Sequence, residues 1–262
     1  MKSFFIVLLM SPDKDWLDYL NQFDLSFNYF QNIPSVTEKY CVIIEPREHP
    51  LLIKVIKNFM YLLQNKGWGL IIIHGSDNQK FLKTHLKEKK NVKYVNLFVS
   101  NLDIQQYNYI MTNLSLWECI KKIGCKHSLI FQSDTLLLKD NVDDFLQYDF
   151  VGAPWCLVWY DIQGGYNGGL SLRNVDTMID IIQNGLPVTF PNDVLVNEDI
   201  YFAFHMDKNR EKYTLPDRDI AKTFSVETVY YEDPTGMHQP HKDKFPSKEE
   251  YSRILSKRYE IE

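Results

Sequence analysis

Cys41-Val42-Ile43-Ile44-Glu45, then Pro50 to Lys66, then Leu70-Ile71-Ile72-Ile73 is the stretch on which the fold turns. The first and third pieces are short, continuous apolar runs, as expected of strands covered on both faces. Between them Leu52, Val55, Ile56, Phe59, Leu62 and Leu63 recur three and four residues apart. That spacing lines one face of a helix, and Gly67 stops it. A strand, a crossover helix and a second strand make a parallel pair.

The alternation continues outward. Asn78 to Lys89 reads as a basic helix and Tyr94 to Val99 as a strand. Asp103 caps a long helix whose apolar positions are Tyr107, Ile110, Met111, Leu114, Trp117 and Ile120, ended by Gly124. Ser128 to Phe131 is the next strand. Upstream, Phe4 to Met10 lacks the flanks of a signal sequence and reads as a strand. After residue 134 the strands shorten to Leu136 to Leu138, Phe150-Val151 and Leu170 to Leu172. Helices return at Val175 to Gln183 and around Glu198 to His205. Asp233 to Pro246 reads as a loop and Ser247 to Lys257 as a terminal helix. One domain over residues 1–262 is expected, with a nucleotide-binding first half and a more irregular second half.

Composition excludes some classes. A net charge of −5 and a pI near 5.8 disfavour non-specific attraction to nucleic acid or anionic membrane. Nothing approaches the roughly 18 apolar residues of a membrane span. Cys41, Cys119, Cys125 and Cys156 form no C-x-x-C pair and read as reduced thiols in a cytoplasmic protein.

Five clusters carry candidate chemistry. Phe131-Gln132-Ser133-Asp134 ends a strand, the side of a parallel sheet where ligands bind; Asp134 there either ligates a divalent cation or caps a turn. Gly164-Gly165-Tyr166-Asn167-Gly168-Gly169 admits close backbone approach to a ligand, or forms a hairpin; Trp155 before it is a stacking face or a buried ring. Asn197-Glu198-Asp199 opens a helix, where carboxylates either complement the dipole or include a general base. His238 and His241 are either metal ligands or loop histidines. Glu45-Pro46-Arg47 ends a strand, with Arg47 a phosphate partner or a solvated side chain. No phosphate-binding G-x-x-x-x-G-K-[ST] and no strand-linked G-x-G-x-x-G is present.

Taken in order, several segments resemble the DUF5672-type family, glycosyltransferase-like proteins of bacteria, eukaryotes and large DNA viruses. The matching runs are Val42 to Arg47, Trp68 to Gly75, Leu129 to Asp134, Tyr148 to Trp155, Asn167 to Arg173 and Asn197 to Asp199. The resemblance implies a GT-A-like α/β fold, a mixed, mainly parallel sheet flanked by helices. About 1–134 would form the nucleotide-binding half and about 135–262 the acceptor and metal half. The D-x-D element of such enzymes reads Gln132-Ser133-Asp134 here, so one carboxylate of the pair is missing.

The same resemblance implies a metal-dependent, inverting glycosyltransferase of hexosyl or related type. Mn²⁺ or Mg²⁺ would sit on Asp134 with His238, or second His241. Glu45, Pro46, Arg47, Gln132, Ser133, Asp134, Asn167, Gly168 and Gly169 would hold a nucleotide-sugar, with UDP the expected nucleotide. Trp155 and Tyr166 would meet a glycan or glycoprotein acceptor. Asp199, with Glu198 as alternative, would be the base. The expected location is the cytoplasm, or host cytoplasm or virion for a viral member. A nucleotidyltransferase of similar fold and a non-catalytic sugar-binding module are the competing expectations.

Overall fold

Two strands with no exposed face organise the chain. β1 (Lys39–Glu45) is buried from its second residue on and β2 (Trp68–His74) throughout. They pair in parallel, Cys41 opposite Leu70 and Glu45 opposite His74. The helix between them, α2 (Leu52–Leu62), sinks Leu52, Val55, Ile56 and Phe59 into the core. In this computed structural model the described residues are 14–24, 32–86, 91–157, 162, 164–185, 196–239 and 247–256. The expected strand from Phe4 to Met10, and His241, lie outside them.

A preceding helix, α1 (Lys14–Asn21), buries Trp16, Tyr19 and Leu20. After β2 come α3 (Gln79–Leu86), β3 (Val92–Asn96), α4 (Ile104–Met111), α5 (Leu114–Ile123) and β4 (His127–Phe131). The strand expected at Tyr94 to Val99 thus begins and ends earlier. The long helix expected between Asp103 and Gly124 is two helices. Asp103 starts α4 in a reciprocal capping box with Gln106, and Gly124, with φ of 104°, ends α5 in the left-handed region. Between them Asn113 takes extended backbone and accepts from the Ser115 amide. Asn favours a cap over a helix interior, so it restarts the helix.

The second half supplies β5 (Thr135–Leu137), β6 (Phe150–Pro154), β7 (Tyr166–Asn174), α6 (Val175–Asn184), α7 (Glu198–Asp207), α8 (Arg218–Phe224), β8 (Ser225–Val226), β9 (Gly236–His238) and α9 (Lys248–Ser256). The large sheet has the order β3-β2-β1-β4-β7-β6. Its first four strands are parallel, and β7 runs antiparallel to both β4 and β6. The fold is therefore mixed α/β with a mainly parallel sheet. A small sheet, β5-β9-β8, lies beside it. β9 falls within the expected loop from Asp233 to Pro246; three residues are too few for a period-two pattern to register. Asn58 of α2 bonds both the amide and the carbonyl of Leu137, which ties the small sheet to the crossover helix between β1 and β2. Among the described residues no helix is long and apolar enough to cross a membrane.

Candidate active site

The carboxyl end of β4 is the place where three chain segments converge. Gln132, Ser133 and Asp134 follow Phe131 there. Because β7 is antiparallel to β4, with Leu170 opposite Phe131, its beginning arrives at the same edge. β9 is antiparallel to β5 and sets His238 opposite Thr135. The Gln239 amide then donates to the Asp134 carbonyl at 2.9 Å.

The start of β7 is irregular. Its ladder with β6 passes from Gly152–Ser171 directly to Pro154–Tyr166; of the four residues between, Leu170 pairs with β4, and Asn167, Gly168 and Gly169 bulge from the pairing. Bulges of this kind re-aim backbone beside functional sites. Both glycines are required sterically. A Cβ on Gly168 would overlap Glu198 Oε1, and one on Gly169 would overlap the His238 ring. Asn167 braces the bulge by accepting from the Gly169 amide at 2.8 Å.

His238 is buried, 2% exposed. Its Nε2 lies 3.6 Å from Asp134 Oδ1 and 3.3 Å from Gln132 Oε1. Its Nδ1 lies 3.5 Å from Glu227 Oε1. Burial pulls its pKa down, but the carboxylates of Asp134 and Glu227 outweigh this and push it up to about 9.

The fit of a divalent cation here follows from the donor set. Among the described residues no three His, Cys, Asp or Glu side chains gather into a protein cage. One carboxylate in the turn before β5 and one imidazole at the end of β9 instead suit an ion that completes its shell with diphosphate oxygens and water. Glu227, 3.5 Å behind Nδ1, stands where the outer partner of a ligating histidine belongs. Asp134 and His238 therefore fit the group; His241 lies outside the described residues.

On the other side of the bulge, Asp199 occupies the first turn of α7. Its Oδ2 accepts from the Gly168 amide at 3.2 Å and its Oδ1 from the Ile200 amide at 2.8 Å. Burial first, then the neighbouring Glu198 charge, raise its pKa to about 7 against the opposing pull of Arg173 and the two amides. Glu198 is placed differently. The fully buried Arg173 grips it in a fork, Nη1 to Oε2 at 2.5 Å and Nη2 to Oε1 at 2.9 Å. Its own amide donates to Asn108 of α4 at 3.1 Å.

Along the sheet edge, Glu45 ends β1, buried, and binds Arg47 twice at 2.8 Å through Nε and Nη2. That hydrogen bonding raises the Arg47 pKa against partial burial, with Asp134 contributing from a distance. The Arg47 side chain stays 47% exposed. Asn78 bonds the carbonyls of Glu45 and Arg47 and fixes this turn. Pro46 packs against Gly75. Trp155 is partly exposed, its ring packed against Gly165. Tyr166 points inward: it is 1% exposed and donates its hydroxyl to the Pro216 carbonyl. A hollow between Tyr61, Leu62, Gln64 and residues 138–141 contains none of these groups.

The fold thus brings Asp134, His238, the Asn167-Gly168-Gly169 bulge and Asp199 together. It adds Arg173, Glu227 and Asn108, none of which carried a role in the sequence reading. Arg173 is the one charged residue of β7 and directly follows Leu170-Ser171-Leu172, the one signal it offered.

Comparison with known proteins agrees with this architecture. The apo-form glycosyltransferase GlyE of Streptococcus pneumoniae TIGR4 is similar in structure, with a TM-score of 0.53 at 14% identity over 85% of this chain. The chain spans 63% of the length of that protein. Mannosyltransferase PcManGT of Pyrobaculum calidifontis, solved with GDP-Man and Mn²⁺, gives 0.42 at 12% identity over 71% of this chain and 58% of its own. TarS 1-349 of S. aureus, solved with UDP-GlcNAc, gives 0.40 at 10% identity over 64% and 54%. No curated protein matches in sequence. Residues 91–238 match the family described as "Protein of unknown function (DUF5672)", and with more than half its length inside that match, built on a GT-A-like fold, the chain belongs to the DUF5672 family.

Proposed function

We propose that this protein transfers a sugar from a nucleotide-sugar, a UDP-sugar first among candidates, to a hydroxyl of a glycan or protein, with inversion. The observation that carries the reading is the bulge of β7. Its Gly168 amide holds Asp199, while Gly169 backs onto His238, which faces Asp134. A base candidate and a cation-binding pair are thereby fixed to one short backbone segment, at the sheet edge where ligands bind in open α/β folds.

Asp199, with its pKa raised to about 7, is matched to proton abstraction near neutrality. It takes the proton of the acceptor hydroxyl as that oxygen forms a bond to the anomeric carbon. The bond from that carbon to the donor diphosphate breaks, and its electron pair leaves with the nucleoside diphosphate. Asp134 and His238 would hold Mn²⁺ or Mg²⁺, which supplies positive charge to the departing diphosphate. Glu45, Pro46, Arg47, Gln132 and Ser133 line the donor edge, and Asn167 to Gly169 frame the sugar. Trp155 offers an acceptor face. The first half of the single domain binds nucleotide, and the second carries acceptor and metal ligands.

The test is calorimetric titration of UDP, with and without Mn²⁺, into wild type and Asp134→Asn. Metal-dependent binding lost in the variant supports the reading. Incubation with UDP-sugars should then release a nucleoside diphosphate. Pyrophosphate release from sugar phosphate and nucleotide would reassign the site to nucleotidyl transfer, and sugar binding without nucleotide or metal would make it a binding module.

A further inference from the structure

Arg173 has an unusual setting for a charged side chain. It is fully buried in β7, and its guanidinium lies between the rings of Phe150 and Phe202, 4.6 and 5.6 Å from their centroids. Its polar atoms are spent on the site. Nε donates to Ser171 Oγ at 2.9 Å, Nη1 and Nη2 grip Glu198, and Nη2 also reaches the Gly168 carbonyl at 3.4 Å. Ser171 Oγ donates to the same carbonyl at 2.9 Å. One cation thus holds the bulge residue whose amide binds Asp199 and also the helix residue just before Asp199.

We infer that Arg173 and Glu198 form a positioning pair, which fixes Asp199 and sets the charge it feels, and that Glu198 is not itself the base. The inference rests on the reading of Asp199 as the proton acceptor. Three observations favour it. Each carboxylate oxygen of Glu198 accepts from the Arg173 fork, and the residue is buried; an ion-paired carboxylate facing a guanidinium is a poor proton acceptor. Its amide is capped from α4 by Asn108, whose Nδ2 donates to Asn197. The first turn of α7 is therefore held from two sides. The Gly168 carbonyl and amide point to opposite partners, Arg173 and Asp199, so displacement of one is transmitted to the other.

The groups facing Asp199 are few. Glu198 lies beside it on α7, Arg173 faces it from β7, and the Tyr107 hydroxyl couples to it from α4. Tyr107 is neutral at working pH, since burial and the Glu198 charge hold its pKa well above the ordinary tyrosine value. The charge felt by Asp199 is thus the balance of Arg173 against Glu198. A residue that merely stiffened the fold would alter stability and leave the ionisation of Asp199 where it was.

The test reads that ionisation directly, by carboxyl ¹³C NMR titration of the full-length protein without added nucleotide or metal, with the Asp199 signal assigned from Asp199→Asn. Glu198→Gln removes the negative neighbour and leaves Arg173, so the midpoint should fall by about one pH unit or more. Arg173→Lys keeps a charge but loses the two-pronged grip, so Glu198 is less compensated and the midpoint should rise. Opposite shifts establish the pair, and each variant stands as a test if the other fails to fold. A midpoint unmoved in a folded variant, or moved the same way in both, overturns the inference. Should UDP-sugar transfer prove absent, the titration is unaffected, so failure of the catalytic reading is distinguishable. In an active enzyme, Glu198→Gln should retain transfer with its acid limb moved to lower pH; transfer abolished at every pH would return the base to Glu198.

Discussion

Gly169 lies so close to the imidazole of His238 that a Cβ on it would overlap Nε2. The last residue of the β7 bulge is thus in contact with the last residue of β9, and the two sheets of the molecule touch at the proposed cation site.

Gly169→Ala should therefore be felt at the ion before it is felt in the fold. Overpacking costs about 1–3 kcal/mol, relieved here by tilting His238 away from Asp134. Mn²⁺-dependent UDP affinity should fall roughly 10- to 100-fold, the range seen when a ligating histidine loses its orientation. An unchanged calorimetric Kd would show that His238 is not a ligand.

Asp199→Asn should lower transfer about 10²- to 10⁴-fold, the usual worth of general base catalysis, with UDP binding unaltered. In wild type only the ionised carboxylate accepts a proton, so the rate should fall as pH drops below about 7, the raised value for this group. The stability sign is opposite: a carboxylate raised on folding favours the native state below its ordinary value of 3.8, and that contribution disappears as pH rises through about 7. Asp199→Asn should flatten both profiles. A rate profile level between pH 5 and 8 in wild type would exclude Asp199 as base.

Arg173→Met leaves Glu198 buried with no counter-charge. Breaking such a pair from one side costs roughly 3–5 kcal/mol, a large share of an ordinary domain's stability. Urea denaturation should show that loss, and replacing Glu198 by Gln in the same chain should recover part of it. A single substitution as stable as wild type would mean that the fork contributes nothing to the fold.

Trp155 and Tyr166 should separate cleanly. Tyr166→Phe removes a buried hydroxyl bonded to Pro216 and should cost about 1 kcal/mol of stability without altering acceptor KM. Trp155→Ala, at a partly exposed ring, should raise acceptor KM with little change in donor affinity. The reverse pattern in steady-state kinetics would move the acceptor site inward.

The parallel half of the sheet was legible because β1 and β2 are covered on both faces and their apolar runs are uninterrupted. The second half was harder to read, since β8 and β9 are two and three residues long and are defined by partners far away in sequence. The break between α4 and α5 hinges on one asparagine choosing a cap. At the site, glycines around Asn167 announced close approach, but what approaches is tertiary: His238 lies 69 residues beyond Gly169 in the chain. Arg173 is a single cation in an apolar stretch, and only packing shows Phe150, Phe202 and Glu198 around it.

The reversed direction of β7 has a consequence for how this protein can vary. Its parallel neighbours deliver loops that depart from the ligand edge, whereas β7 delivers one that arrives there, already committed to the pairs from Leu170 with Phe131 to Asn174 with His127. Residues added ahead of Tyr166 lengthen the approach and leave every pair intact. One residue removed after Gly169 would exchange the two faces of the strand and carry the bulge off its histidine. Substrate preference has room to drift upstream of the strand, while within it the register is locked.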